Sequence, residues 1–122
     1  MHGRILLDTN AIIYALNRGV RLLPAEYTLS IITEIELFSY PKLTERESDR
    51  LHSLLHFFEI ISLSDPIKTE TIRIRKTYGI KIPDSIIAAT ALVHGMPLIT
   101  HDRQLSRIED LYTMTLDEQI VM

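Results

Sequence analysis

The stretch Ile86, Ile87, Ala88, Ala89, Thr90, Ala91, Leu92, Val93 limits what this chain can fold into more than any other. Pro83 ahead of it favours a helix start, and Gly95 after it favours a helix end. Wound as a helix, the stretch is apolar on nearly every side, as expected of a helix buried against a sheet. The rest of the sequence supplies that sheet. Short apolar runs rich in branched residues, at Ile5 to Leu7, Tyr27 to Ser30, Ile60 to Leu63, Pro97 to Thr100 and, more weakly, Leu111 to Thr115, read as strands. Helical patterns lie between them, at Asn10 to Asn17 and Ile31 to Tyr40. A third begins at the capping box Thr44, Glu45, Arg46, Glu47 and carries the stripe Leu51, Leu54, Leu55, Phe58. A fourth opens at Asp65 and Pro66 and closes at Gly79, and the apolar helix is the fifth. Strands alternating with helices predict an α/β fold around a mainly parallel five-stranded sheet, with right-handed crossovers.

At 122 residues the chain is expected to be a single domain, 1–122, burying roughly two thirds of its unfolded surface. With no cysteine, a disulfide framework, a thiolate zinc site and a cysteine nucleophile are excluded together, which favours a reducing, cytoplasmic setting. Thirteen Lys plus Arg against sixteen Asp plus Glu give a net charge of -3, so any contact with nucleic acid must be local. The opening MHGRILLDTN has too short an apolar run for a signal peptide, and no stretch approaches a membrane span. A soluble protein with no membrane association is expected.

In parallel α/β sheets ligands bind beyond the carboxyl ends of the strands, where strand order reverses. Asp8 directly follows the first strand, with Thr9 and Asn10 leading into a helix; capping that helix is the plainer role for it. Ser30 ends the second strand, and Thr33 and Glu36 follow at +3 and +6, near one helix face. Glu34 lies about 200° around the axis from Glu36, so those two acids cannot share a site. Asp84 falls in the first turn of the apolar helix, where the helix dipole favours an acid. Asp102 stands just past the fourth strand, after Thr100 and ahead of a short helix Arg103 to Ile108 that it can cap.

Each acid taken alone has a structural explanation. Together, at the ends of two strands and the starts of two helices, they can surround one small volume. Carboxylates gathered in this way repel, so they must share protons or bind a cation. An oxygen-only donor set selects hard Mg²⁺ or Mn²⁺. Of the histidines only His52 and His56, at i, i+4, have a zinc-like spacing, and they lack a third ligand in sequence. No dinucleotide or P-loop glycine pattern occurs, and no nucleophile elbow surrounds a serine.

These motifs resemble those of the PIN-domain family, in particular its compact VapC-type toxins. LLDTNAIIYAL is similar to the family's opening motif, SIITEIEL to its second, and IPDSIIAATALVHGMPLITHD to its third and fourth. The resemblance implies a three-layer PIN-like fold and a metal-dependent endoribonuclease, usually a homodimer. It also implies a toxin whose partner is a cognate antitoxin. Asp8, Glu36, Asp84 and Asp102 take the places of the family's metal-binding acids, supported by Thr9, Asn10, Ser30, Thr33 and Thr100. Two departures stand out: Phe38, Ser39 and Tyr40 replace a small glycine turn, and Gln104 and Leu105 stand where a further acid or Asn sometimes occurs.

Metal held by such acids lowers the pKa of water and neutralises phosphate charge, which requires no side-chain nucleophile. Lys68, Arg73, Arg75, Lys76 and Lys81 form the densest basic segment, and with Arg103 they are candidates for contacting RNA phosphates; a solvated helix face is the alternative. Two rival functions share these features. A response-regulator receiver also has alternating strands and helices with a Mg²⁺ site, but it expects paired acids after the first strand, where Asp8 stands alone. A PIN-like fold that binds RNA or a protein without cutting is the other.

Overall fold

The computed structural model describes residues 3–121. Its strands are β1 (Arg4–Leu7), β2 (Glu26–Ser30), β3 (Glu59–Ile61), β4 (Leu98–Ile99) and β5 (Thr113–Met114). The helices are α1 (Thr9–Arg18), α2 (Ile31–Phe38), α3 (Glu45–Leu55), α4 (Asp65–Tyr78), α5 (Ile82–His94) and α6 (Arg103–Ser106). The strands form one sheet in the order β3-β2-β1-β4-β5, and every pairing is parallel. That order also sets aside the receiver reading, because receiver domains follow the order 2-1-3-4-5.

Alternation along β1 builds the layers. Leu6 points into a core shared with Ile67 and Ile74 of α4, Ile87 and Ala91 of α5, and Leu105 of α6. Ile5 and Leu7 point the other way, into a core with Ala11 and Ala15 of α1, Leu37 of α2, and Leu51 and Leu55 of α3. Helices therefore cover both faces, giving the three-layer arrangement. Within α5, every residue from Ser85 to Ala91 is buried, as its composition requires.

The third strand sits one to two residues earlier than its apolar run suggests. It pairs only with β2, through Thr28↔Glu59, Leu29↔Ile60 and Ser30↔Ile61. Ser30 ends β2 and caps α2, so no ladder remains for Ser62 and Leu63, and Leu63 is exposed. β5 shrinks to two residues because its only partner is β4, itself two residues long. Leu116–Gln119 forms a 3₁₀ turn where no element was expected. At the end of α3 the two phenylalanines part: Phe58 packs against the core, whereas Phe57 is 87% exposed. No helix among the described residues is long and apolar enough to cross a membrane.

Candidate active site

The chain runs from β1 through β2 to β3 on one side and returns on the other side at β4, so strand order reverses beside β1. A cleft of about 370 Å³ opens at that reversal. Asp8, Thr9, Asn10, Glu36, Asp84, His101 and Asp102 line it. All four candidate acids meet there, and Glu34 is not among the lining residues.

Asp8 is fixed from both sides. Its N–H donates to the Ile99 carbonyl of β4 (3.1 Å), which extends the sheet by one residue. Its Oδ1 accepts the Ala11 N–H (2.7 Å) and caps α1. Asp102 is held in a similar way: its N–H donates to Thr100 Oγ1 (3.0 Å), and its Oδ1 accepts the Gln104 N–H (2.8 Å) to cap α6. Capping and lining the cleft are thus one arrangement, since the bond that satisfies a helix terminus also orients the carboxylate.

Glu36 is oriented from below. Thr9 Oγ1 donates to Glu36 Oε1 (2.6 Å) and lies 2.9 Å from Thr33 Oγ1. A hydroxyl has one proton, so with that of Thr9 committed to Glu36, Thr33 is the donor to Thr9. Thr33 is fully buried, which anchors the chain of bonds in the core. Ser30, also fully buried, accepts the Ile32 N–H (3.1 Å) as the cap of α2 and does not line the cleft.

Electrostatics ties the four acids together. Burial pushes the Asp8 carboxyl above its ordinary range; bonds from Thr100 and the Ala11 N–H and the nearby His101 oppose this, and Asp102 adds to it. Asp84 is pushed up by burial and then by Asp102, Glu36 and Asp8, against a smaller opposing effect of Lys81. Three carboxylates acting on a fourth, against the smaller effect of Lys81, define a site where negative charge dominates. Its donors are all oxygens, apart from His101 at the rim, and suit a hard divalent cation. Among the described residues no three His, Cys, Asp or Glu side chains are yet close enough to hold an ion together. The donor chemistry fits such an ion, although the side chains do not form a ready-made coordination shell.

His101 is the lining residue that sequence reasoning missed. Its Nε2 accepts the Leu116 N–H (3.1 Å), and its ring lies 6.3 Å from that of Tyr14. Both contacts come from distant parts of the chain, so no local spacing could signal them. Of the basic candidates, Lys81 stands near Asp84 and Arg103 directly follows Asp102. Arg73 is paired with Glu70, and Arg75 donates to the Ile80 carbonyl (2.8 Å). Lys76 is exposed on α4. His52 and His56 are both exposed, with His52 tilted against the Phe38 ring.

Several solved structures share this fold. A toxin-antitoxin complex from Klebsiella pneumoniae contains a chain 29% identical, aligned over 91% of this chain and 96% of that one, with a TM-score of 0.77. VapBC-1 from nontypeable Haemophilus influenzae gives 27% identity over 93% and 98%, with a TM-score of 0.75. DNA-bound VapBC from Salmonella typhimurium is 20% identical over 95% and 99%, and its TM-score of 0.80 shows a likeness of fold. No curated protein matches the sequence significantly. The sequence profile of the PIN domain matches residues 5–111, nearly the whole chain, and with a cleft of clustered acids at the strand reversal this chain belongs to the PIN-domain family.

Proposed function

We propose that this chain is a metal-dependent endoribonuclease and the toxin of a toxin-antitoxin pair. The observation that carries this reading is that Asp8, Glu36, Asp84 and Asp102 line one cleft where strand order reverses, close enough that the other three, after burial, push the Asp84 carboxyl up. Such a site favours a divalent cation, and Mg²⁺ or Mn²⁺ suits its oxygen donors. When bound, the ion supplies a water of lowered pKa and screens the scissile phosphate. The chain's own residues do the rest. Asp8, Glu36, Asp84 and Asp102 would hold the ion; the capping bonds of Asp8 and Asp102 and the Thr33 to Thr9 to Glu36 chain orient three of these carboxylates. Asn10 offers an amide to the same cleft. Lys81 and Arg103, next to the acids, are the cations best placed to meet phosphates, with Lys76 further along α4; Arg73 and Arg75 are engaged by Glu70 and the Ile80 carbonyl.

The kinship with chains from toxin-antitoxin complexes supports an antitoxin partner. So does a groove of about 750 Å³ beside the acids, lined by Ile13 and Leu16 of α1, Leu37 of α2, Tyr40, and Leu51 and Leu54 of α3. Glu36 lines both groove and cleft, so a partner seated in the groove reaches the edge of the acidic site. We expect the protein in the cytoplasm, where RNA and antitoxin are made.

Cleavage of a mixed RNA substrate with Mg²⁺ or Mn²⁺ tests the proposal. Asp8→Asn, Glu36→Gln, Asp84→Asn and Asp102→Asn are each expected to lower the rate at least about a hundredfold, the loss of several kcal/mol of charge stabilisation. Glu34→Gln is expected to leave it nearly unchanged. Full activity of the Asp8→Asn protein removes the proposal, and loss with Glu34→Gln but not Glu36→Gln moves the site to the other face of α2.

A further inference from the structure

Arg75 is engaged at both its main chain and its side chain. Its carbonyl accepts the Gly79 N–H (3.0 Å), which closes α4 as Gly79 turns left-handed at φ 69°. Its guanidinium Nη1 reaches forward and donates to the Ile80 carbonyl (2.8 Å). The same carbonyl accepts the hydroxyl of Ser85 (3.0 Å). A carbonyl oxygen has two lone pairs, and here one donor comes from α4 and the other from α5. Ser85 is fully buried and directly follows Asp84.

The clamp matters because α5 has no side-chain cap of its own. Lys81 occupies the cap position without making a capping bond, and Pro83 removes an N–H from the first turn. Where α5 starts, and so where Asp84 stands in the cleft, depends on the connection 79–81. We propose that Arg75 and Ser85 are positioning residues for Asp84, joined through the Ile80 carbonyl that both bind. This rests on the reading of the four acids as a cation site. It gives Arg75 a task other than tracking RNA phosphates.

Mn²⁺ affinity of the full chain, read by the paramagnetic signal of free Mn²⁺, tests this without any cleavage assay. Arg75→Ala and Ser85→Ala are each expected to weaken Mn²⁺ binding up to about tenfold, the lower end of what losing a direct partner of a metal ligand costs, since both act on Asp84 through the Ile80 carbonyl. In the Asp84→Asn background neither is expected to weaken it further, since the effect passes through Asp84. The dependence of RNA affinity on salt is expected to stay the same. Full additivity with Asp84→Asn overturns the proposal, as does unchanged Mn²⁺ affinity together with a salt slope lower by about one, the mark of a lost phosphate contact. A drop in melting temperature with Mn²⁺ affinity intact shows a merely structural role and also overturns it. Should Arg75→Ala fail to fold, the near-isosteric Ser85→Ala decides alone. Absence of Mn²⁺ binding in the unaltered chain removes the cation site itself, and this proposal with it.

Discussion

Thr9 Oγ1 stands 2.6 Å from Glu36 Oε1, joining the first residue of α1 to the outer acid of α2. The two helices thus meet at the site as well as in the core, and Glu36, otherwise exposed, has an anchored carboxylate. Thr9→Val removes both of that hydroxyl's bonds, and Thr33→Val removes the buried donor behind it. We expect each to cost about 1 kcal/mol of stability by thermal melting. Cleavage should fall about tenfold for Thr9→Val and less for Thr33→Val. An unchanged rate for Thr9→Val would mean that Glu36 needs no anchor.

Metal-free stability should depend on pH through Asp8 and Asp84. Both carboxyls are held above the ordinary 3.8, so the folded chain binds their protons more readily than the unfolded one. Their stabilising contribution is complete below that value and is lost as pH rises through the folded-state values. Asp84→Asn should therefore raise the metal-free melting temperature at pH 7.5, with the difference shrinking toward pH 4. Saturating Mn²⁺ should reverse the sign, because the ion stabilises the unaltered chain more. A melting difference independent of both pH and metal would show that repulsion at Asp84 is not felt.

Much of this architecture is legible in the sequence because its punctuation is local. Gly79, Pro83 and Gly95 bound α4 and α5, and the Thr44 to Glu47 capping box forms as its residues indicate. The acids are legible for a related reason: each follows a strand or opens a helix, and topology gathers those ends at one place. What escapes is non-local. His101 enters the cleft through a bond from Leu116, and Arg75 meets a carbonyl beyond the end of its own helix. The shift of β3 follows from where its neighbour β2 stops, and nothing within residues 60–63 shows it.

Assembly offers a separate test. Phe57, just past α3, is 87% exposed, and Leu63 and Ile72 are about half exposed before and along α4. Exposed apolar surface of this kind commonly marks an interface. We expect a homodimer of twice 14.1 kDa by light scattering, built from α3 and α4 with the acidic cleft accessible. Phe57→Asp should shift it to monomer without changing its melting temperature at low concentration. A monodisperse monomer at tens of micromolar, where interfaces of about -6 kcal/mol or better are visible, would contradict the dimer.

The position of a bound ion tests the central claim most directly. Anomalous scattering from a crystal of the unaltered chain soaked in Mn²⁺ should show a peak in the cleft with oxygens of Asp8 and Asp84, and of Glu36 or Asp102, at about 2.2 Å. The peak should be lost in crystals of the Asp84→Asn protein. No peak in the cleft at saturating Mn²⁺, or one beside His52 and His56 instead, would contradict the assignment of these four acids as a metal centre.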